Sequence, residues 1–280
     1  SIGFRNKHCD AGILMPDSFS SALMLRLGGV KRLVGFRGEL RDPMLAVRLR
    51  RDRWSHLCEQ YSQLLPLECE AIENPGVAVS PAELGKAWDM LKEVGVQQAS
   101  APVLLAPGAS YGETKRWPEE RYLRLTELLV ERLGLQVVLV GNAAERELCE
   151  RIAEKSAPSV TNLSGRTTLR QFGALACLAA LFVGNDSGAA HLAAAAGCPA
   201  VVIFGSSDPT WTAPRGRAVR VLYEKVSCSP CFRKSCPYDL ECLAQISVDK
   251  VYDAAAEVYR LVRGERRKRE SGHPSGNGQT

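Results

Sequence analysis

The chain has 280 residues, 45% of them apolar and 24% charged, a globular composition with enough length for a sizeable core and two domains of ordinary size. No apolar stretch reaches the length of a membrane span, since the most apolar region, Ala189 to Gly205, is broken by His191, Gly197 and Pro199. The net charge of +5 is unevenly placed: between Arg26 and Arg53 nine Lys/Arg face three Asp/Glu, which predicts either a solvated face or an anionic partner. Nucleic acid is disfavoured as that partner, because no aromatics interleave and no binding motif is visible.

In chain order, Ala11 to Met15 is a short apolar run that reads as a buried strand. Pro16-Asp17 closes it, and Ser18 can cap a helix that carries Phe19, Ala22, Leu23, Leu25 and Leu27 and stops at Gly28-Gly29. A second strand is expected around Leu33 to Phe36. From Pro43 to Pro102 the signals weaken; Pro66, Pro75 and Pro81 suggest connecting segments, with a helix from about Pro81 to Val94 and a domain junction near Ser100. Thereafter strands at Val103–Ala106, Gln136–Val140, Ser159–Asn162, Leu181–Val183, Ala200–Phe204 and Val219–Leu222 alternate with helices at Pro118–Leu133, Ala143–Lys155, Leu169–Leu178 and Ser187–Ala196. Such a series predicts an α/β fold with a parallel, doubly wound sheet. A last helix is expected at Val248–Val262, and the Arg/Lys-rich then Gly/Ser/Pro-rich tail, 264–280, reads as disordered.

Ligands of an open parallel sheet bind where strands end and helices begin. One such turn is Gly184-Asn185-Asp186-Ser187-Gly188-Ala189-Ala190-His191. The free amides and dipole of the following helix favour an anion there, Gly188 lets it approach the backbone, and His191 lies one turn on from Ser187. The plainer reading is a structural helix capped by Asp186 or Ser187, with His191 a satisfied core residue. A second strand end, Pro107 to Pro118, includes Ser110 and delivers Lys115 and Arg116 just before another helix. A lysine and helix amides can neutralise a departing diphosphate, and with no Asp-x-Asp pair in sight the expectation is that no metal cofactor is required for catalysis. At a third strand end Glu145 could accept hydrogen bonds from a ribose, or simply serve as a first-turn carboxylate.

Of ten cysteines, six stand singly and read as reduced core thiols, which favours a cytosolic chain. The other four, Cys228, Cys231, Cys236 and Cys242, have metal-like spacing. A structural zinc or iron–sulfur clip, free thiols or a redox pair are all compatible with it.

Taken in order, Leu14 to Ala22, Gly35 to Arg41, Pro107 to Pro118, Gly184 to His191 and Phe204 to Pro209 resemble the heptosyltransferases of glycosyltransferase family 9. The likeness runs over about residues 8 to 262. It implies a GT-B-like architecture of two Rossmann-like domains: residues 1–100 forming an incomplete acceptor-side domain and 101–263 the nucleotide-sugar domain. It also implies an inverting enzyme that moves heptose from ADP-heptose to the anionic inner core of lipopolysaccharide, in peripheral contact with the cytosolic face of the inner membrane. By the same resemblance Lys115 stabilises the leaving ADP, and Ser110, Asp186, Ser187, Gly188, Ala189 and His191 hold the donor, with Glu145 a looser match to a ribose contact. Asp17, Ser18, Arg37 and Arg41 fall on the acceptor side. Family members begin with a strand and a glycine loop whose aspartate acts as general base. This sequence starts after that point, so the expectation is a truncated chain with weak or no transfer by itself. A sugar-nucleotide epimerase of similar fold and an inactive nucleotide-binding module are the alternatives.

Overall fold

In the computed structural model, residues 9–52, 54–65, 74–97 and 101–270 are described, the side chains of 265–270 excepted. The chain divides into two units, Ser1–Glu73 with Thr210–Thr212, and Asn74–Pro209 with Ala213–Thr280.

The first unit is a parallel three-stranded sheet in the order β1 (Ala11–Leu14), β2 (Arg32–Phe36), β3 (Val47–Leu49), with helices α1 (Phe19–Leu27) and α2 (Leu57–Ser62). Ser18 caps α1 as expected, accepting the amide of Ser21 at 3.3 Å. Leu14, Ala22, Val30, Leu33 and Leu45 form its small core. β3 and α2 fall in the segment read as connecting chain. β3 has an exposed to half-buried pattern and lies at the sheet edge, so it lacks the apolar run that marks a buried strand.

In the second unit, α3 (Pro81–Glu93) starts with a complete capping box between Ser80 and Glu83. Six parallel strands follow: β4 (Val103–Ala106), β5 (Val137–Leu139), β6 (Val160–Asn162), β7 (Leu181–Asn185), β8 (Ala200–Phe204) and β9 (Val219–Tyr223). Their spatial order is β6-β5-β4-β7-β8-β9, the doubly wound order in which the chain reverses direction between β4 and β7. Connecting helices are α4 (Glu119–Leu133), α5 (Arg146–Glu154), α6 (Leu169–Leu178) and α7 (Gly188–Ala195); the short helix α8 (Pro209–Thr212), whose last three residues belong to the first unit, and α9 (Glu241–Ala244) precede α10 (Val248–Glu270).

Burial on both faces explains why the central strands are runs of Val, Leu, Ile and Phe. Successive residues then serve opposite cores. Leu104, Phe182 and Val202 join the core beneath α3, α6 and α7, whereas Leu105, Val183 and Ile203 join the one beneath α4 and α10. α4 shows how the sequence delimits a helix: Glu119 and Glu120 suit the positive end of its dipole, Tyr122, Leu125, Leu128 and Leu129 are buried, and Gly134 ends it in a left-handed conformation at φ 63°.

Two expectations change. The division of the chain falls between Glu73 and Asn74 rather than near Ser100, because α3 packs against α6 of the second unit. The last helix runs on to Glu270, past the expected end at Val262, since Arg, Lys and Glu are good helix formers once a packed helix can be extended. Residues 271–280, also read as disordered, lie outside the described residues, as do Ser100 and Arg53.

Candidate functional site

The ends of β4, β5 and β7 and the starts of α6 and α7 surround a cleft of about 270 Å³. Gly108 and Ser110 line one side, Asn142 and Glu145 another, Thr168 and Phe172 a third, and Ser187, Gly188 and Ala189 the last. It sits at the reversal point of the sheet, where a parallel fold of this kind presents its ligand site. A larger open groove of about 480 Å³ lies between β9 and α10, lined by Pro199, Val219 and Leu261 with the Arg220–Glu257 pair at 3.9 Å, away from the three strand ends.

The start of α7 is unlike those of α3 and α6. Ser80 and Thr168 each accept an amide of their own helix, satisfying the cap, but Ser187 at the corresponding position makes no side-chain cap bond. Its Oγ is buried and has no hydrogen-bond partner in the structure. A buried hydroxyl without a partner is costly, so the site is matched to an acceptor that the protein does not itself supply. A Cβ at Gly188 would meet no atom within 4 Å, so the protein's own packing does not call for glycine there. His191 is exposed, one turn from Ser187, and not the core histidine of the plainer reading.

Asp186 is only 5% exposed, and its Oδ2 accepts from Lys115 Nζ at 2.5 Å and from the hydroxyl of Ser207. Lys115 and the Gly184–His191 turn, which come from two separate strand ends, are thus in direct contact. Lys115 lies on a 3-10 turn, Glu113–Lys115, and its ammonium also stands 5.0 Å from the centre of the Tyr111 ring. The turn is tied down by neighbours. Ser206 donates its amide to Thr114 O at 3.2 Å and its hydroxyl to Thr114 Oγ1 at 3.1 Å, while Cys231 and Phe232 both donate backbone amides to Ser206 O. Tyr111 donates to Phe232 O at 2.6 Å, Cys236 N–H to Glu113 Oε1 at 2.9 Å, and Thr114 to Arg233 O.

Glu145 is held against the glycines of the cleft. Its Oε2 accepts Asn142 N–H at 2.8 Å, and a Cβ on Gly108 would come within 2.2 Å of its Cδ. Ser110 is exposed and accepts from Asn142 Nδ2 at 3.1 Å, so Asn142 links two residues singled out in the sequence without having been singled out itself. Asn185 and Ser207 fall inside the Gly184–His191 and Phe204–Pro209 stretches but were given no role of their own. Both are buried polar side chains whose partners lie 63 or more residues away for Asn185 and 21 away for Ser207, so no local pattern marks them.

The four loop cysteines share one region, and among the described residues no group of three His, Cys, Asp or Glu side chains stands in place to hold a metal ion. Cys242 is part of the apolar core, and burial pushes its thiol above the usual range, reinforced by neighbouring Cys228, Cys231 and Cys236. Cys228 packs against the same core, and Cys236 Sγ accepts Tyr238 N–H at 3.3 Å. The loop that carries them is anchored partly by burial and partly by its contacts with the lysine turn.

In the first unit, the residues assigned to an acceptor are largely engaged at home. Arg41 has no exposed side-chain surface and donates to Phe36 O at 2.8 Å, to Pro16 O and to Asp17 at 2.9 Å, so it ties the ends of β1 and β2 together and cannot itself meet an acceptor. Asp17 is shared with Arg51 at 2.8 Å, and Ser18 is the α1 cap. Arg37 is exposed and bound to Asp42 at 2.8 Å, and its hydrogen bond, with one from Gly38, holds the Asp42 carboxyl below the usual range.

With this geometry in place, the sequence profile of glycosyltransferase family 9 (heptosyltransferase) matches residues 3–241. The chain belongs to glycosyltransferase family 9. It is 31% identical over 236 residues to lipopolysaccharide heptosyltransferase 2 of Salmonella typhimurium and equally to that of Escherichia coli, covering 78% of this chain and 66% of each relative. The chain thus spans just under two thirds of the length of these curated relatives. The solved structure of E. coli ADP-heptose lipopolysaccharide heptosyltransferase II superposes with a TM-score of 0.74 at 28% identity, over 93% of this chain and 79% of that one. A family 9 glycosyltransferase from Veillonella parvula gives 0.78 at 19% identity over 91% of this chain and 75% of its own, which extends the likeness of fold. The architecture of this family 9 chain is accordingly the GT-B-like one, with parallel Rossmann-like sheets. Among the described residues no helix is long and apolar enough to cross a membrane.

Proposed function

We propose that the second unit is the donor-binding half of an inverting heptosyltransferase that takes ADP-heptose and adds heptose to the anionic inner core of lipopolysaccharide. The observation that carries this reading is the unpartnered Ser187 hydroxyl at the start of α7, beside the Lys115–Asp186 pair. A diphosphate seated there receives the first amides of α7, the hydroxyl of Ser187 and the ammonium of Lys115. Glu145 and Ser110 are placed along the cleft for the ribose, and the apolar wall that includes Phe172 suits the adenine. His191 and Asp186 flank the sugar end of the same turn.

When the bond to the anomeric carbon breaks, negative charge grows on the departing ADP. Lys115 and the α7 amides oppose that charge without a metal ion, and preorganised donors in a dry cleft are the strongest means available for it. The proton of the acceptor hydroxyl is assigned to no residue of this chain. We place the working protein at the cytosolic face of the inner membrane, in peripheral contact, where its anionic acceptor is held and where the positive charge between residues 26 and 53 has a partner.

The test is Lys115→Ala, assayed as transfer of heptose from ADP-heptose to a core acceptor. Turnover should fall by at least about 100-fold, the scale of a lost transition-state donor, with a much smaller change in donor affinity. Unchanged turnover removes the lysine from the mechanism. Formation of an epimer from ADP-heptose without acceptor would identify the chain as an epimerase instead.

A further inference from the structure

Three strand ends meet on a single carboxylate oxygen. Asp186 follows β7, Lys115 comes from the turn after β4, and Ser207 lies three residues beyond β8. Oδ2 of Asp186 accepts from both Lys115 and Ser207. Asp186 and Ser207 are 5% and 2% exposed, whereas the Lys115 side chain is 18% exposed and remains open to solvent. Asp186 is fixed from behind by its own amide, which donates to Ile203 O at 2.9 Å.

The arrangement poses a problem of charge. A diphosphate at the start of α7 needs the Lys115 ammonium, but drawing it away leaves a buried carboxylate short of a donor, which is expensive. The Ser207 hydroxyl stays with Asp186 whatever the lysine does. It lowers the cost of releasing the ammonium, and so weakens the grip of Asp186 on the lysine at the moment the ligand competes for it.

We propose that Ser207 is a positioning residue that sets how Lys115 is shared between Asp186 and an incoming diphosphate. The proposal rests on reading the cleft as a nucleotide-diphosphate site. Ser207 itself touches no ligand and acts through Asp186. Removing its hydroxyl leaves Lys115 as the stronger partner of Asp186 and less available to phosphate. Removing the charge of Asp186 has the opposite effect, freeing the lysine and taking a negative charge away from the diphosphate.

The probe is ADP, titrated calorimetrically into the protein and its variants. Ser207→Ala should weaken ADP binding about tenfold, the order set by one hydrogen bond to a charged group. Ser207→Thr, which keeps the hydroxyl, should restore it to within about threefold, and Asp186→Asn should bind ADP at least as tightly as the unmodified protein. In the Asp186→Asn background, Ser207→Ala should have no further effect beyond about twofold, since a residue acting through Asp186 has nothing left to act on. Ser207→Cys, close to serine in size but a weak donor, gives the same weakening and serves if the alanine variant does not fold. Equal weakening by Ser207→Ala in both backgrounds would show a merely structural role and overturn the proposal, as would no weakening in either. Failure of the unmodified protein to bind ADP is a separate outcome, which overturns the donor-site reading and this inference with it.

Discussion

The side chain of Asn185 is hydrogen-bonded to the backbone of Trp117, with Oδ1 accepting the amide at 3.1 Å. The same oxygen accepts the phenol of Tyr122 at 2.9 Å, and Nδ2 donates to Pro107 O at 2.9 Å and Gly108 O at 3.2 Å. One fully buried amide at the end of β7 therefore holds both ends of the segment that carries Ser110 and Lys115.

Asn185→Ala should be among the most damaging single changes in the second unit. It leaves the Trp117 amide and two carbonyls short of a partner, and the Tyr122 hydroxyl with only its longer bond of 3.4 Å to Ala106 O, in a region closed to water. A loss of about 3 kcal/mol is expected, because each unsatisfied buried group costs about 1–3 kcal/mol and some relaxation follows. Denaturant unfolding measures it. Loss of under about 1 kcal/mol would mean that water or a shifted backbone replaces the amide.

Gly108→Ala tests how closely Glu145 is seated. The new Cβ would fall 2.2 Å from Glu145 Cδ, so the carboxylate must leave its place over the glycine. ADP affinity should drop by about tenfold or more, as for loss of a charged hydrogen bond, with a smaller loss of stability because Glu145 lies near the surface. Full affinity in a folded Gly108→Ala protein would exclude Glu145 from the ribose site.

Stability should respond to acid through Glu83. Arg170, hydrogen-bonded to it at 2.6 Å, and the backbone and hydroxyl of Ser80 pull its carboxyl down to about 2 from the ordinary 4.5. A depressed carboxylate contributes stability that is fully present above its ordinary value and is lost as pH falls through the folded one. The difference in thermal midpoint between the unmodified protein and Glu83→Gln should therefore be constant above about pH 5.5 and shrink between about pH 5 and 2. A difference that does not change over that range would mean that Arg170 and Glu83 do not pair in solution.

Thiol reactivity should separate surface from core. Cys58 is exposed, while Cys149 is buried and its thiol is pushed up to about 11 by that burial. Iodoacetamide at pH 8 should label Cys58 within minutes and leave Cys149 unlabelled until the protein is unfolded, because the thiolate is the reacting species. Peptide mapping by mass spectrometry reads both sites in one experiment. Comparable labelling of the two in the native protein would contradict the packing of α5.

The central strands were legible because burial on both faces leaves only apolar residues: Val103–Ala106, Leu181–Val183 and Ala200–Phe204 needed at most a residue or two of correction. The helices were legible through their caps and apolar faces, as Ser18 illustrates. β3 was not, since an exposed edge strand of Val47-Arg48-Leu49 carries no apolar signature. The basic sector is only partly free surface, which its composition does not show. Arg26 is spent on the carbonyls of Met44 and Lys31, and Arg41 on those of Phe36 and Pro16, which composition cannot distinguish from arginines that face solvent. At the site, the turns bearing Lys115 and Asp186 could be found from strand ends, whereas Asn185 and Ser207 owe their roles to partners brought close by the sheet order.

The lone hydroxyl of Ser187 also makes the empty protein less stable than it need be. Ser187→Ala removes a polar group that has been taken out of water without compensation, so the ligand-free chain should melt at a higher temperature than its parent, while the rise in melting temperature caused by ADP should become smaller. Selection for thermal robustness alone would discard this serine. Its retention would then be a trace of ligand binding that can be read from the apo protein in a melting experiment, before any substrate is in hand.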